Sequence, residues 1–211
     1  MSQPMKVKFL FLSLVASALL YSCGGNQEKE TEQSSQDTTA TEVTYVVNTD
    51  SSQLSWKGEM LKLYSHSGIL KLKEGVFTVK GDKITSGTFT ADLLSISPTD
   101  SAYGEENPKE KLIGHLQSAD FFATDSFPTA TFAIKKMDGN TITGDLTVRG
   151  KTNEEKVTDV AIENVGDQVK ATGKLVFDRQ KYGVSFKMPV QDKVLGDNIE
   201  LGVVLIGKKK E

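Results

Sequence analysis

Two histidines, His66 and His115, and one cysteine, Cys23, are the side chains best able to hold a metal ion, move a proton or form a covalent bond near neutral pH. His66 and His115 could share a metal with Asp92 or Asp120. Their spacing matches no short ligand motif, and both fall in apolar neighbourhoods, so no metal site is expected. His66 and Ser67 are consecutive, and consecutive residues on a strand point to opposite faces, which removes them as a dyad. The chain carries no G-x-S-x-G elbow, no phosphate-cradling glycine loop and no paired-carboxylate signature. Binding is expected rather than reaction, with no catalytic residue and no cofactor. A hydrolase or isomerase working through His66 or His115 is the weakest of the alternatives.

The thiol has a different context. Lys6 and Lys8 precede the apolar run FLFLSLVASALL, from Phe9 to Leu20; Tyr21, Ser22 and Cys23 follow, and then the polar stretch GGNQEKETEQ. These are the charged and apolar regions of a secretory signal, ending at a cysteine. The segment LYSC resembles the lipobox of bacterial lipoproteins. That resemblance implies lipid attachment at Cys23, which becomes the first residue of the mature chain. It also implies a lipoprotein of the bacterial cell envelope, in the outer membrane, on its periplasmic face or at the cell surface. Two alternatives stand beside it. A retained transmembrane helix would need roughly 20 apolar residues, more than this run supplies. The other is an ordinary thiol beside an ordinary cleavage site. With a single cysteine no intramolecular disulfide can form.

Charge separates the remainder into two parts. Loss of residues 1–22 deletes Lys6 and Lys8 and no acidic residue, taking the net charge from −3 to −5. From Gly24 to Glu42 five acidic residues face Lys29 alone. This stretch has no hydrophobic period and cannot bury enough apolar area to order itself. It reads as a tether of roughly 25 Å mean reach. The expected organisation is a signal over 1–22, the lipidated cysteine and acidic tether over 23–42, and one folded domain over 43–211. That domain is nearly neutral and has no basic stripe, so no nucleic-acid partner is expected.

From Val43 onward apolar residues recur with period 2. Leu54 and Trp56 alternate with polar residues, as do Leu70 and Leu72, and Phe77 and Val79. Ile142, Leu146 and Val148 do so with Gly144 in an inward slot, and Val169, Ala171, Leu175 and Phe177 with Gly173. Ile199, Leu201, Val203 and Leu205 form a last apolar face. Such alternation marks half-buried antiparallel strands. Turn signals fall at Gly81-Asp82, Asp138-Gly139-Asn140, Arg149-Gly150, Gly166-Asp167 and Gly196-Asp197-Asn198. The pattern predicts an all-β chain of about eight strands, a sandwich or barrel. One helix interrupts it: Asn107 can cap, Pro108 suits the first position and Glu110 gives a capping-box spacing. Leu112 and Leu116 share a face with His115 near them, and the helix ends near Ser118. The stretch from Asp92 to Asn107, with Pro98, Asp100 and Tyr103, reads as an exposed loop.

The segments HSGILKLKEGVFTV, GTFTADLLSI, KLIGHLQSADFFATDSFPTATF and GDLTVRGKT occur in an order that resembles the YceI-like family, over roughly Val43 to Lys208. HLQSADFF followed by FPTATF is the most specific element, and FDRQKYGV is similar to the family's Arg-x-x-aromatic-Gly pattern. The resemblance implies a lipocalin-like antiparallel β-barrel whose apolar interior holds the tail of a long amphiphile: a polyisoprenoid, an isoprenoid quinone or a fatty-acyl lipid.

A barrel of about eight strands is either packed full or holds one small ligand. The small inward residues Gly144, Ala171 and Gly173 would leave room. Lining candidates among the aromatic residues are Trp56, Phe77, Phe89, Phe121, Phe122, Phe132, Phe177 and Phe186, with core packing as the alternative for each. Leu70, Leu93, Leu116, Leu146 and His66 are the further candidates. His115, Arg179 and Tyr182 could orient a headgroup; for Arg179 a structural salt bridge is an equal reading. The function expected is therefore a membrane-anchored protein that sequesters or carries an amphiphile. The alternative is a filled barrel that binds a protein or polysaccharide through its loops. A homodimer stays open.

Overall fold

The computed structural model describes residues 40–61, 64–186 and 194–211. The expected signal over 1–22, Cys23 and most of the expected tether lie outside these residues. The strands are β1 (Glu42–Val47), β2 (Gln53–Leu61), β3 (Tyr64–Lys80), β4 (Lys83–Pro98), β5 (Thr129–Asp138), β6 (Thr141–Val148), β7 (Lys151–Val165), β8 (Gln168–Asp178) and β9 (Val194–Lys209). One α-helix, α1 (Lys109–Gln117), lies between β4 and β5, and a 3₁₀ turn spans Arg179–Tyr182.

Each strand from β2 to β9 pairs antiparallel with the next, and β9 returns to β2, so the sheet closes. β1 and β2 share one position. β1 pairs with β3 at Val46↔Val76 and with β9 at Val47↔Gly207, while β2 meets the same two strands at Leu54↔Leu70 and Leu54↔Val203. Between them the Ser52 hydroxyl accepts the Ile206 amide at 2.8 Å and keeps the ladder satisfied across the break. Nine strands thus fill eight positions in a closed barrel; the period-2 pattern leads one to expect about eight strands in a sandwich or barrel, and the barrel is the architecture that the family resemblance implies. The residues read as inward from that pattern are in the core: Leu54, Trp56, Phe77, Ile142, Val169 and Phe177 are all buried.

The barrel has two unlike ends. At one, tight turns use glycine with positive φ at Gly81, Gly139 and Gly166, a backbone that L side chains rarely adopt. The other carries α1, the 3₁₀ turn and the long connections.

Three local expectations change. Gly196-Asp197-Asn198 is no turn but a bulge inside β9, with register stepping from Gly58↔Ile199 to Met60↔Leu195. A Cβ on Gly196 would stand 3.1 Å from the Glu59 carbonyl, so glycine marks a close approach there. Asn107 does not cap α1; Pro108 occupies that position with extended backbone, ψ 155°, and no side chain caps the helix. The exposed loop starts after Pro98, not at Asp92. β4 continues to Pro98 through a bulge in which Lys71↔Asp92 is followed by Ile69↔Ser97. Asp92 and Ser95 hold that bulge, through Leu94 N to Asp92 Oδ1 at 3.0 Å and Ser95 Oγ to the Asp92 carbonyl at 2.6 Å.

Candidate functional site

The barrel encloses a cavity of about 890 Å³. Its wall runs from Leu195 to Leu205 along β9 and from Ile84 to Ile96 along β4. At about 3.3 Å per residue and a strand tilt near 40°, ten residues rise roughly 25 Å along the axis. The space is therefore deep and narrow, suited to a chain. The volume sits near the upper end of the roughly 300–1,000 Å³ of ordinary ligand pockets. Most of the wall is aliphatic or aromatic. The side chains with strong polar tips (Tyr64, His66, Tyr103, Asn107, Lys111 and His115) gather at the helix-bearing end.

Ala171 on β8 is a small residue in the cavity wall and leaves room where a larger inward side chain would fill it. Gly173 also lines the cavity, but a Cβ there would lie 2.6 Å from Val157 Cγ1, so a neighbour already takes its space. Gly144 is alike: a Cβ there would lie 2.5 Å from Phe132 Cζ, so its missing side chain seats the Phe132 ring. Trp56 lies across Gly68, and its indole N–H donates to the Ile69 carbonyl at 3.3 Å, which leaves the ring face for the cavity wall.

The far end is solid. Phe77 is 1% exposed and does not line the cavity. Its ring stacks on Tyr45 at 5.6 Å and tilts against Phe89 at 6.1 Å. Gly87 and Gly207 have no side chain because a Cβ on either would come within 2.9 Å of Phe77. Phe77 is floor, not wall.

The mouth is organised around Asp100, in the loop after β4. Its carboxylate accepts the Ser67 amide at 3.0 Å, the Ala102 amide at 3.1 Å and the Tyr103 hydroxyl at 2.8 Å. His66 Nδ1 lies 3.1 Å from the Tyr103 oxygen. Burial pushes the Asp100 carboxyl up, but the hydrogen bonds from Tyr103, the Ser67 and Ala102 amides and His66 outweigh it and hold it at about 2. Burial and the Asp100 charge push the Tyr103 phenol well up, so it stays a neutral donor. The Tyr103 ring stacks on His66 at 5.5 Å, and Tyr64 meets His66 edge-on at 5.1 Å. On α1, His115 packs against Phe186 at 4.5 Å and Phe121 at 5.6 Å.

Trp56, His66, Leu70, Phe89, Leu93 and Leu116 all stand in the cavity wall, as do Phe121, Phe122, Phe132, Leu146, Phe177 and Phe186. His115 joins them at the mouth. Arg179 and Tyr182 do not. Arg179 is 2% exposed, and its guanidinium donates to the carbonyls of Gly196, Val184, Phe186 and Leu195 and to Asp197 Oδ1 at 3.0 Å. No donor remains for a headgroup, so Arg179 takes the structural role and ties the β8–β9 connection to the rim. Tyr182 is fully buried, donates to Glu155 Oε1 at 3.1 Å and packs edge-on against Phe177. Tyr64, Tyr103 and Lys111 are mouth residues that the apolar period does not flag. For Tyr64 a signal exists, since it shares the strand face of His66 two residues on. Among the described residues no cluster of three or more His, Cys, Asp or Glu could hold a metal.

Residues 45–206 match the YceI-like domain profile. A UPF0312 protein of Staphylococcus aureus strain bovine RF122 is 39% identical over 101 residues, 44% of this chain and 53% of that protein. The chain thus spans about half the length of the curated relatives it matches. BcnA of Burkholderia cenocepacia superposes with a TM-score of 0.60 at 22% identity, covering 76% of this chain and 98% of that one. A polyisoprenoid-binding domain from Saccharophagus degradans, implicated in plant cell wall breakdown, superposes with a TM-score of 0.56 at 10% identity over 80% of this chain and 99% of its own. Both likenesses are of fold.

Proposed function

The chain belongs to the YceI-like family, and on that footing we propose that it binds a long-chain amphiphile with the tail in the barrel and the head at the mouth. The observation that carries this reading is the deep apolar cavity of about 890 Å³. Water wets such a wall poorly, whereas each buried methylene gains about 0.8 kcal/mol. A filled barrel acting through its loops has no such space to account for.

The same reading covers the finer points. The tail is that of a polyisoprenoid, an isoprenoid quinone or a fatty-acyl lipid, and the solved polyisoprenoid-binding relative supports the first. Cys23 carries the lipid anchor, and the acidic stretch after it holds the barrel near the outer membrane, where such ligands are concentrated. The anchored barrel sequesters or carries its ligand without reaction. Native mass spectrometry of the protein extracted from its own membranes tests this directly. A copurified isoprenoid or acyl lipid in one-to-one ratio is expected. A ligand-free protein that also fails to take up any long-chain lipid from vesicles overturns the reading.

A further inference from the structure

Resting on that reading, we infer that His66 selects the head of the bound amphiphile: it presents a hydrogen-bond acceptor at the mouth and favours a head bearing a hydroxyl hydrogen over one that can only accept. The argument is one of proton counting. Tyr103 has a single hydroxyl hydrogen, and the 2.8 Å contact gives it to Asp100 Oδ2. The Tyr103 oxygen is then left to accept. His66 Nδ1 lies 3.1 Å from that oxygen and 3.3 and 3.4 Å from the two Asp100 oxygens. An ionised carboxylate is acceptor only. A bare Nδ1 lone pair facing these three oxygens would be repelled, so Nδ1 carries the hydrogen. The neutral ring then has its lone pair on Nε2.

Nε2 has no hydrogen-bond partner among the described residues, and His66 stands in the cavity wall. Across the ladder its partner is Gly58, itself in the wall, so no side chain of β2 stands directly opposite the ring. Tyr103 stacked on one face and Tyr64 against the edge fix the ring plane. The result is a pre-set acceptor at the boundary between apolar wall and polar rim. A hydroxyl arriving there gains a bond, and an ether or carbonyl oxygen brings lone pair against lone pair. At this partly buried position one such bond corresponds to about a 10-fold preference.

The test compares geranylgeraniol with its methyl ether on the full-length protein and on His66→Phe at pH 8, both compounds supplying the same tail. The expected result is about 10-fold tighter binding of the alcohol by the wild type and a ratio near one for His66→Phe. Equal affinities in the wild type, or a preference that survives in His66→Phe, overturn the inference while leaving the amphiphile reading standing. Binding of neither compound overturns both. Independently of any variant, nitrogen NMR of His66 should find the hydrogen on Nδ1; a hydrogen on Nε2 contradicts the assignment.

Discussion

At the end closed by the turns of Gly81, Gly139 and Gly166, Phe77 is held by two glycine gaps and two aromatic rings, and the interior is full. At the other end the same strands stand apart around a cavity, and the polar tips of Tyr64, His66, Tyr103, Asn107, Lys111 and His115 ring its opening. Both ends use small residues, but to opposite effect. Gly87 and Gly207 are small because a large neighbour fills their space. Ala171 is small and borders the cavity. The sequence pattern is the same at each; what differs is whether a bulky residue on a neighbouring strand reaches across.

The contrast can be broken at the floor first. Phe77→Ala should cost about 3–5 kcal/mol in urea unfolding, because close packing leaves the site little room to collapse. A cost near that of a surface residue would mean the floor is not packed. Next comes Arg179→Ala, which removes the donors of four carbonyls and of Asp197 and should cost about 3 kcal/mol by the same measurement. It would show that one corner of the open end is as rigid as the floor.

A matched pair of small-to-large changes sharpens the comparison. Gly207→Ala places a Cβ 2.8 Å from both Phe77 and Tyr45 and should cost about 1–3 kcal/mol. Ala171→Leu points into the cavity and should leave stability within about 1 kcal/mol, while weakening uptake of a long-chain alcohol by about 10-fold or more. Similar stability losses for both would erase the distinction. The smallest effect is on pH. Asp100 is held at about 2, below the roughly 3.9 of an unfolded aspartate. Its contribution is therefore complete above about pH 4 and is lost as pH falls toward 2. Protection of the Ser67 and Ala102 amides, measured against their intrinsic exchange rates at each pH, should fall across that window, and Asp100→Asn should remove the step.

Much of this was legible beforehand, for a physical reason. A closed barrel imposes strict period 2, so inward residues such as Trp56, Leu146 and Phe177 declare themselves. Bulges break the period without leaving a distinct signal. Gly196-Asp197-Asn198 has the composition of a turn and serves as a bulge beside Glu59. The mouth was least legible, because it is made by contacts across the fold. Nothing local says that Asp100 will sit against Ser67 and His66, or that Arg179 will spend every donor on the β8–β9 connection. Phe77 shows the limit on the other side: alternation places it inward but does not say at what depth.

Trp56 is the single tryptophan of the chain and stands in the cavity wall, so its fluorescence reports on the interior. Titration with a long-chain alcohol brominated at mid-chain tests the central claim directly, since bromine quenches an indole only on contact. Saturable quenching at one ligand per protein, shifted to about 10-fold or more higher ligand concentration in Ala171→Leu, is the predicted result. Unquenched Trp56 emission at concentrations where the protein demonstrably holds the ligand would place the chain outside the barrel and contradict the account.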